Sequence, residues 1–332
     1  SATTSFVVRI HVGGAGESTN AAGIQLSQTN WHVSITNIEI PASGNVTVVW
    51  DAVEGITYDV YYSDHNLGGA MSWTRAVSGL EADSETEAAG VSGSASQRYF
   101  QVVPEGSLLS SNNLWAVIRP TVNASTFTLV SPGTAGDRAF DGALGSNLAQ
   151  VLTGDNGGVG DNTGDEVLIL EANQSWRNLY LSGSNTWNES NGSLSTFELA
   201  EGQGFYVLRN SGSTAQPRFT GPVGNLGTST NVITDNSGNG GWNIITFSQG
   251  RHIPASTAFG SLAEGSPEAD WDETQADLIL VLNSNGSWRR IMRAGDGTWF
   301  DLTSFTTTGL YFGPGTAVFY YRQPVGTMRV RF

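Results

Sequence analysis

Two stretches decide the fold: Asp165–Trp187, DEVLILEANQSWRNLYLSGSNTW, and Asp277–Trp299, DLILVLNSNGSWRRIMRAGDGTW. Shifted by 112 positions, the first lies on the second without a gap, with Asp165 on Asp277, Asn173 on Asn285, Trp176-Arg177 on Trp288-Arg289 and Thr186-Trp187 on Thr298-Trp299. Further on, Gly202-Gln-Gly204 matches Gly313-Pro-Gly315, with one residue lost between. A shared pattern of this length marks a repeated domain. Within each copy a continuous apolar run of strand length (Val167–Leu170; Leu278–Leu282) leads into a hairpin turn, Glu171–Ser175 or Asn283–Ser287. Asn285-Gly286 is a type I′ turn signal. The unit is β, and it occurs twice.

Around the repeats, apolar residues recur at spacing two or in short runs bounded by Gly, Asn, Asp and Pro, which is strand patterning. Only Ala139–Val151 reads as a helical turn or two, and Phe259–Ala263 matches its start. Expected opening strands are Phe127–Val130 and Trp242–Phe247; closing strands are Gly204–Arg209 and Thr316–Arg322. Before the repeats, strands fall at His32–Ile40, Asn45–Trp50, Thr57–Ser63, Trp73–Val77 and Arg98–Val103, and Leu114–Ile118 lies in a connector. The expected fold class is all-β, a set of multi-domain β-sandwiches. The divisions are 1–31 (N-terminal strand and flexible segment), 32–119 (first sandwich), 120–221 (repeat one) and 222–332 (repeat two).

The passage from Trp50 through Tyr58 to Ser63 resembles the second and third strands of fibronectin type III domains, and Arg98–Val103 resembles the sixth. That resemblance covers about 70 residues and implies a spacer or binding sandwich. The Gly-Trp-Asn, Ser-Trp-Arg and Gly-x-Gly landmarks of 120–332 resemble those of uncharacterised exported bacterial β-repeat proteins. That likeness implies a β-fold at a cell surface and carries no assigned reaction.

Composition narrows the function further. All 15 basic residues are Arg, against 30 acidic residues, for a net charge of −15. Such a field repels nucleic acid and anionic membranes, so neither is an expected partner. Absence of Lys removes Schiff-base chemistry, and absence of Cys removes disulfides, thiol nucleophiles and thiolate metal sites. No stretch approaches the length of a membrane helix. A start at Ser-Ala-Thr-Thr reads as a mature terminus after signal-peptide removal, so the expected location is extracellular or at the cell surface.

The acidic loops offer carboxylates to Ca²⁺, the one cofactor the sequence suggests. Asp161 and Asp165 in repeat one fall on Glu273 and Asp277 in repeat two, although neither loop has EF-hand spacing, and a solvated acidic loop is the competing reading. Paired carboxylates near Trp176, Trp187, Trp288 and Trp299 also raise glycoside hydrolysis. Equal placement of these Trp in both copies suits packing better, however, and no catalytic set is recognisable, so no enzyme is expected. The four His show no metal spacing. Sequons at Asn45, Asn123, Asn173, Asn188, Asn191 and Asn285 are glycosylation candidates, with turn chemistry as the plainer explanation. Met328, Val330 and Phe332 alternate with Arg329 and Arg331 like the closing strand of an outer-membrane barrel, yet the continuous apolar runs argue for core strands.

The N-terminus holds the sharpest lead. Phe6, Val8, Ile10 and Val12 share one face of a period-two strand tethered by the Gly/Ala/Ser-rich stretch Gly13–Gly23. Its form is that of a donor strand for the sheet edge of a neighbouring copy, with pairing inside its own sandwich as the alternative. A head-to-tail contact that does not close makes a filament. The sequence therefore predicts a self-assembling structural subunit whose partner is itself, with a monomeric carbohydrate-binding or adhesive module as the second reading.

Overall fold

The computed structural model describes residues 33–40, 45–64, 72–92, 97–107, 109, 114–134, 137–155, 163–210, 212–223, 230–247, 252–259, 275–283, 285–307 and 309–331. Seven strands come first: β1 (Ile35–Glu39), β2 (Asn45–Asp51), β3 (Thr57–Ser63), β4 (Thr74–Glu81), β5 (Thr86–Ser92), β6 (Gln97–Pro104) and β7 (Leu114–Ile118). A three-stranded sheet in the order β1-β2-β5 faces a second sheet containing β7-β6-β3-β4. Alternation in β2 makes the layer, because Val46, Val48 and Trp50 all turn inward and are fully buried. They meet Tyr58, Val60, Phe100 and Val102 of the other sheet, with the Trp50 and Tyr58 rings edge-on at 6.0 Å. Strand β5 had no counterpart among the expected strands. Its sequence TEAAGVS is poor in large apolar residues, and it buries only Ala89 and Val91.

Repeat one supplies β8 (Phe127–Val130), helix α1 (Ala143–Ala149), β9 (Glu166–Leu170), β10 (Trp176–Leu181), β11 (Trp187–Glu189), β12 (Phe205–Leu208) and β13 (Phe219–Val223). Its sheet runs β11-β10-β9-β12-β8, while β13 pairs with β7 and so extends the sandwich sheet. Strands β6 and β7 consequently serve two cores. Phe100, Val102 and Val117 face the first sandwich; Tyr99, Leu114, Ala116 and Ile118 face repeat one. The boundaries expected at 119/120 and 221/222 are crossed by one continuous sheet.

Repeat two supplies β14 (Thr230–Ile233), β15 (Gly241–Thr246), β16 (Ile253–Pro254), α2 (Ala255–Ala258), β17 (Leu278–Leu282), β18 (Trp288–Arg293), β19 (Trp299–Asp301), β20 (Thr306–Thr307), β21 (Tyr311–Phe312), β22 (Ala317–Arg322) and β23 (Met328–Arg331). Its main sheet runs β15-β22-β17-β18-β19-β20, and β14 and β23 form a separate two-stranded ribbon. Met328 and Val330 pack into the repeat-two core, so the alternation at the C-terminus buries one face in the protein's own interior.

Register corrects two sequence matches. Phe205 pairs with Val130 where Val318 pairs with Ile245, which sets Arg209 on Arg322 and Gly202 on Gly315 rather than on Gly313. Gly202 and Gly315 are both left-handed turn glycines, at φ 74° and 80°. The Ala200 N–H donates to Gln203 Oε1 as the Gly313 N–H donates to Thr316 Oγ1. Helix α2 ends just before Phe259, and of the stretch expected to match the start of the first helical turn, Phe259–Ala263, residues 260–263 lie outside the described residues.

The two repeats pack sheet face to sheet face. Leu168, Leu170, Leu129 and Tyr206 of one meet Leu280, Leu282, Ile244 and Phe319 of the other. These are four equivalent pairs. Among the described residues no helix is long and apolar enough to cross a membrane.

Candidate functional site

Asp165 and Asp277 are not loop ligands. Both are wholly buried, and each anchors the closing strand of its repeat. Asp165 accepts from Arg209 Nη1 at 3.0 Å and from the Asn210 and Thr153 N–H groups at 2.8 Å. Asp277 accepts from Arg322 Nη1 at 2.7 Å, the Gln323 N–H at 2.8 Å and the Tyr320 hydroxyl at 2.7 Å. Burial and the neighbouring Asp277 carboxylate push the Tyr320 hydroxyl well above its ordinary pKa, so it stays a donor. A guanidinium already compensates each carboxylate, and the same positive charge opposes Ca²⁺ there. Asp161 and Glu273, like Phe6, Val8, Ile10 and Val12, lie outside the described residues. Among the described residues there is no group of three or more His, Cys, Asp or Glu placed to hold a metal.

Three sequon Asn sit on exposed tips with one shared geometry. Asn173, Asn191 and Asn285 each accept from the N–H of the Ser two residues on, at 2.9, 2.9 and 3.0 Å. Each also accepts from that Ser hydroxyl, at 2.6, 2.7 and 2.6 Å. These are Asx turns, the local chemistry that favours Asn at hairpin tips. Asn45 is exposed at the start of β2, while Asn123 and Asn188 are half-buried.

A more informative site emerges from comparing the ribbons. Strand β7 of the first ribbon is paired on both sides, by β13 and by β6. Ile118 pairs with Phe219 as Ile233 pairs with Met328, so β14 is the equivalent of β7. Among the described strands β14 has only β23 beside it. The consequence shows at one position. Val117 of β7 is 1% exposed under the sandwich, and its counterpart Val232 of β14 is 53% exposed. A cleft of about 690 Å³ runs past Asn231, Val232 and Thr234, with Trp242 and Ile244 on one wall and Phe197 and Leu199 of repeat one on another. This edge was missed in the sequence, where Thr230–Ile233 is too short and polar to read as a strand.

The seam between repeats is a second site. Trp176 lies 6.2 Å from Phe319, and its equivalent Trp288 lies 6.5 Å from Tyr206. Tyr206 and Phe319, also equivalents, meet at 5.3 Å. The exchange of partners is that of a two-fold related pair. Of the four Trp expected to pack, Trp187 and Trp299 are core residues, while Trp176 and Trp288 are 44% and 38% exposed. The symmetry breaks at the hairpin tips. Gln174 donates to the Trp242 carbonyl at 3.0 Å and accepts from the Trp242 N–H at 2.7 Å. Its equivalent is Gly286, with no side chain to reach Phe127, the counterpart of Trp242. Phe127 is left 44% exposed. That Gln-for-Gly difference was readable in the 112-residue alignment.

No protein-family model matches this sequence, and no curated protein shows significant similarity to it.

Proposed function

We propose that the chain is a structural subunit of an extracellular filament or surface layer, in which the Phe6–Val12 strand of one copy adds to the open edge of β14 in the next. The observation that supports this reading is the unequal fate of one position in two equivalent ribbons: Val117 is covered by a neighbouring strand and sheet, and Val232 is not. A sheet edge with no second partner among the described strands, beside a cleft, is the kind of receptor that strand addition requires. Phe6, Val8, Ile10 and Val12 supply apolar side chains at spacing two. Each large side chain buried contributes about 1.5–3 kcal/mol, to which backbone pairing adds. An acidic, Cys-free chain has no disulfide to hold such an assembly, so strand pairing and packing carry it.

The absence of Cys makes the test direct. Ile10→Cys or Val8→Cys, each combined with Val232→Cys, is oxidised and run without reductant. A ladder of multimers is expected, together with filaments or sheets in negative-stain electron microscopy. Removal of residues 1–23, or Val8→Asp with Ile10→Asp, is expected to leave folded single particles. A disulfide closed within one chain, oxidised chains that stay monomeric, or assembly by the truncated chain each overturns the proposal.

A further inference from the structure

The seam has a property that assembly through β14 does not use. Where Gln174 closes one end of the aromatic cluster over Trp242, Gly286 leaves the other end open, and a groove of about 300 Å³ remains there. Its walls are Trp176, Trp288 and Phe127, each at least 38% exposed. Tyr206 lines it too, is 8% exposed, and its hydroxyl makes no hydrogen bond to any described residue. The hydroxyl is open to solvent rather than sealed in the core, which leaves a donor within reach of a ligand. Burial pushes the Tyr206 hydroxyl well above its ordinary pKa, so it remains protonated and able to donate.

We propose that this groove binds a neutral sugar chain. Among the described residues no charged one lines it, on a chain of net charge −15, which selects against ionic ligands. Two indoles and a phenyl ring present flat apolar faces, against which the C–H face of a pyranose lies, while Tyr206 donates to a ring or hydroxyl oxygen. The volume is at the small end for a ligand pocket, enough for a short run of sugar rings. Asn285 and Ser287, both exposed, flank Gly286 in the hairpin tip at the open end of the groove and add polar groups beside it.

Gly286→Gln tests the assignment most cleanly, because it installs what repeat one already carries. Gly286 has φ 80° and open space around its missing Cβ, and Gln174 holds the same turn at φ 67°. The parent and variants are run over an array of neutral oligosaccharides of glucose, mannose and N-acetylglucosamine, with titration calorimetry on any ligand retained. Retention by the parent is expected, with the affinity of Gly286→Gln abolished while the fold is kept, at a melting temperature lowered only by the cost of a side chain at positive φ. Trp288→Ala should lose at least about tenfold, and Tyr206→Phe about three- to tenfold with its packing intact. No retention of any neutral glycan by the parent overturns the proposal, as does full affinity in Gly286→Gln. A concentration-dependent dimer abolished by Gly286→Gln, without glycan binding, overturns it in favour of a second copy. The chain lacking residues 1–23 should bind as the parent does, so the outcome is independent of assembly.

Discussion

The two repeats share one architecture but not the same surroundings. In repeat one the ribbon of β7 and β13 is welded into the sandwich sheet; in repeat two the ribbon of β14 and β23 stands as a pair. At the seam, one hairpin tip reaches across with Gln174, and its equivalent stops at Gly286. The cores agree closely, since each is closed by a buried Asp–Arg pair at the foot of the last sheet strand. Both of those differences lie where a repeat meets its surroundings. Duplicated units keep the interior that makes them fold and diverge where they meet neighbours, so the places where the copies disagree are the places to look for partners.

The largest effect should come from breaking what the copies share. Removing one member of a buried, hydrogen-bonded ion pair leaves its partner uncompensated, at a cost of about 3–5 kcal/mol. Asp165→Ala and Asp277→Ala should therefore each destabilise by that amount, read as a shift of the urea midpoint. The comparison sharpens at the third donor. Repeat one uses the backbone N–H of Thr153, whereas repeat two uses the Tyr320 hydroxyl. Tyr320→Phe should cost about 1.5–3 kcal/mol, from the hydrogen bond to a carboxylate that it forfeits. Val207, its counterpart in repeat one, has no such bond to lose. Equal tolerance of both Ala variants would mean that the pairs do not hold the closing strands.

A smaller effect separates the two ribbons. Val117→Ala hollows a packed core and should cost about 2 kcal/mol. Val232→Ala, at an exposed site, should change folding stability by less than about 0.5 kcal/mol. The same substitution should weaken assembly, because the side chain is proposed to be covered in the polymer. Thermal melts of the isolated chain and sedimentation of the assembled material read the two effects apart.

Much of this was legible before any coordinates. The repeat, the all-β class, the hairpin tips and strands such as Thr57–Ser63, Leu114–Ile118 and Leu278–Leu282 follow from period-two or continuous apolar runs with Asn and Gly between them. The reading broke down where the deciding contact is remote in sequence. Asp165 follows a Gly- and Asn-rich loop and Asp277 an acidic one, so both look solvated; their guanidinium partners lie 44 and 45 residues on. Gly202 was matched to Gly313 because local identity outweighed register, which only the pairing of β12 with β8 and β22 with β15 can set. β5 and β14 escaped because short strands low in large apolar residues owe their state to the neighbour they pair with.

The smallest predicted effect concerns the N-terminus of α1. Gly142 precedes α1 with no side chain to offer, and Asp137 reaches back to accept from the Ala143 N–H at 2.7 Å and the Ala139 N–H at 2.9 Å. Those two backbone bonds hold its carboxyl below the ordinary range. A lowered folded-state pKa means that the stabilisation is fully present above the unfolded value, near 3.9. It is lost as pH falls through the lower, folded value. Because the side chain is exposed, solvent screening keeps the benefit near the low end for a cap, about 0.5–1 kcal/mol. Asp137→Ala should remove it at neutral pH and flatten that part of the acid limb. α2 begins at Pro254 with no side-chain cap hydrogen bond, so it has no such contribution to lose. Amide exchange at Ala143 should thus quicken in acid as the carboxyl protonates, while exchange at Thr257 follows only the intrinsic rate. Matching acid responses at both would show that the helical turns are held by the cores beneath them and that the cap is incidental.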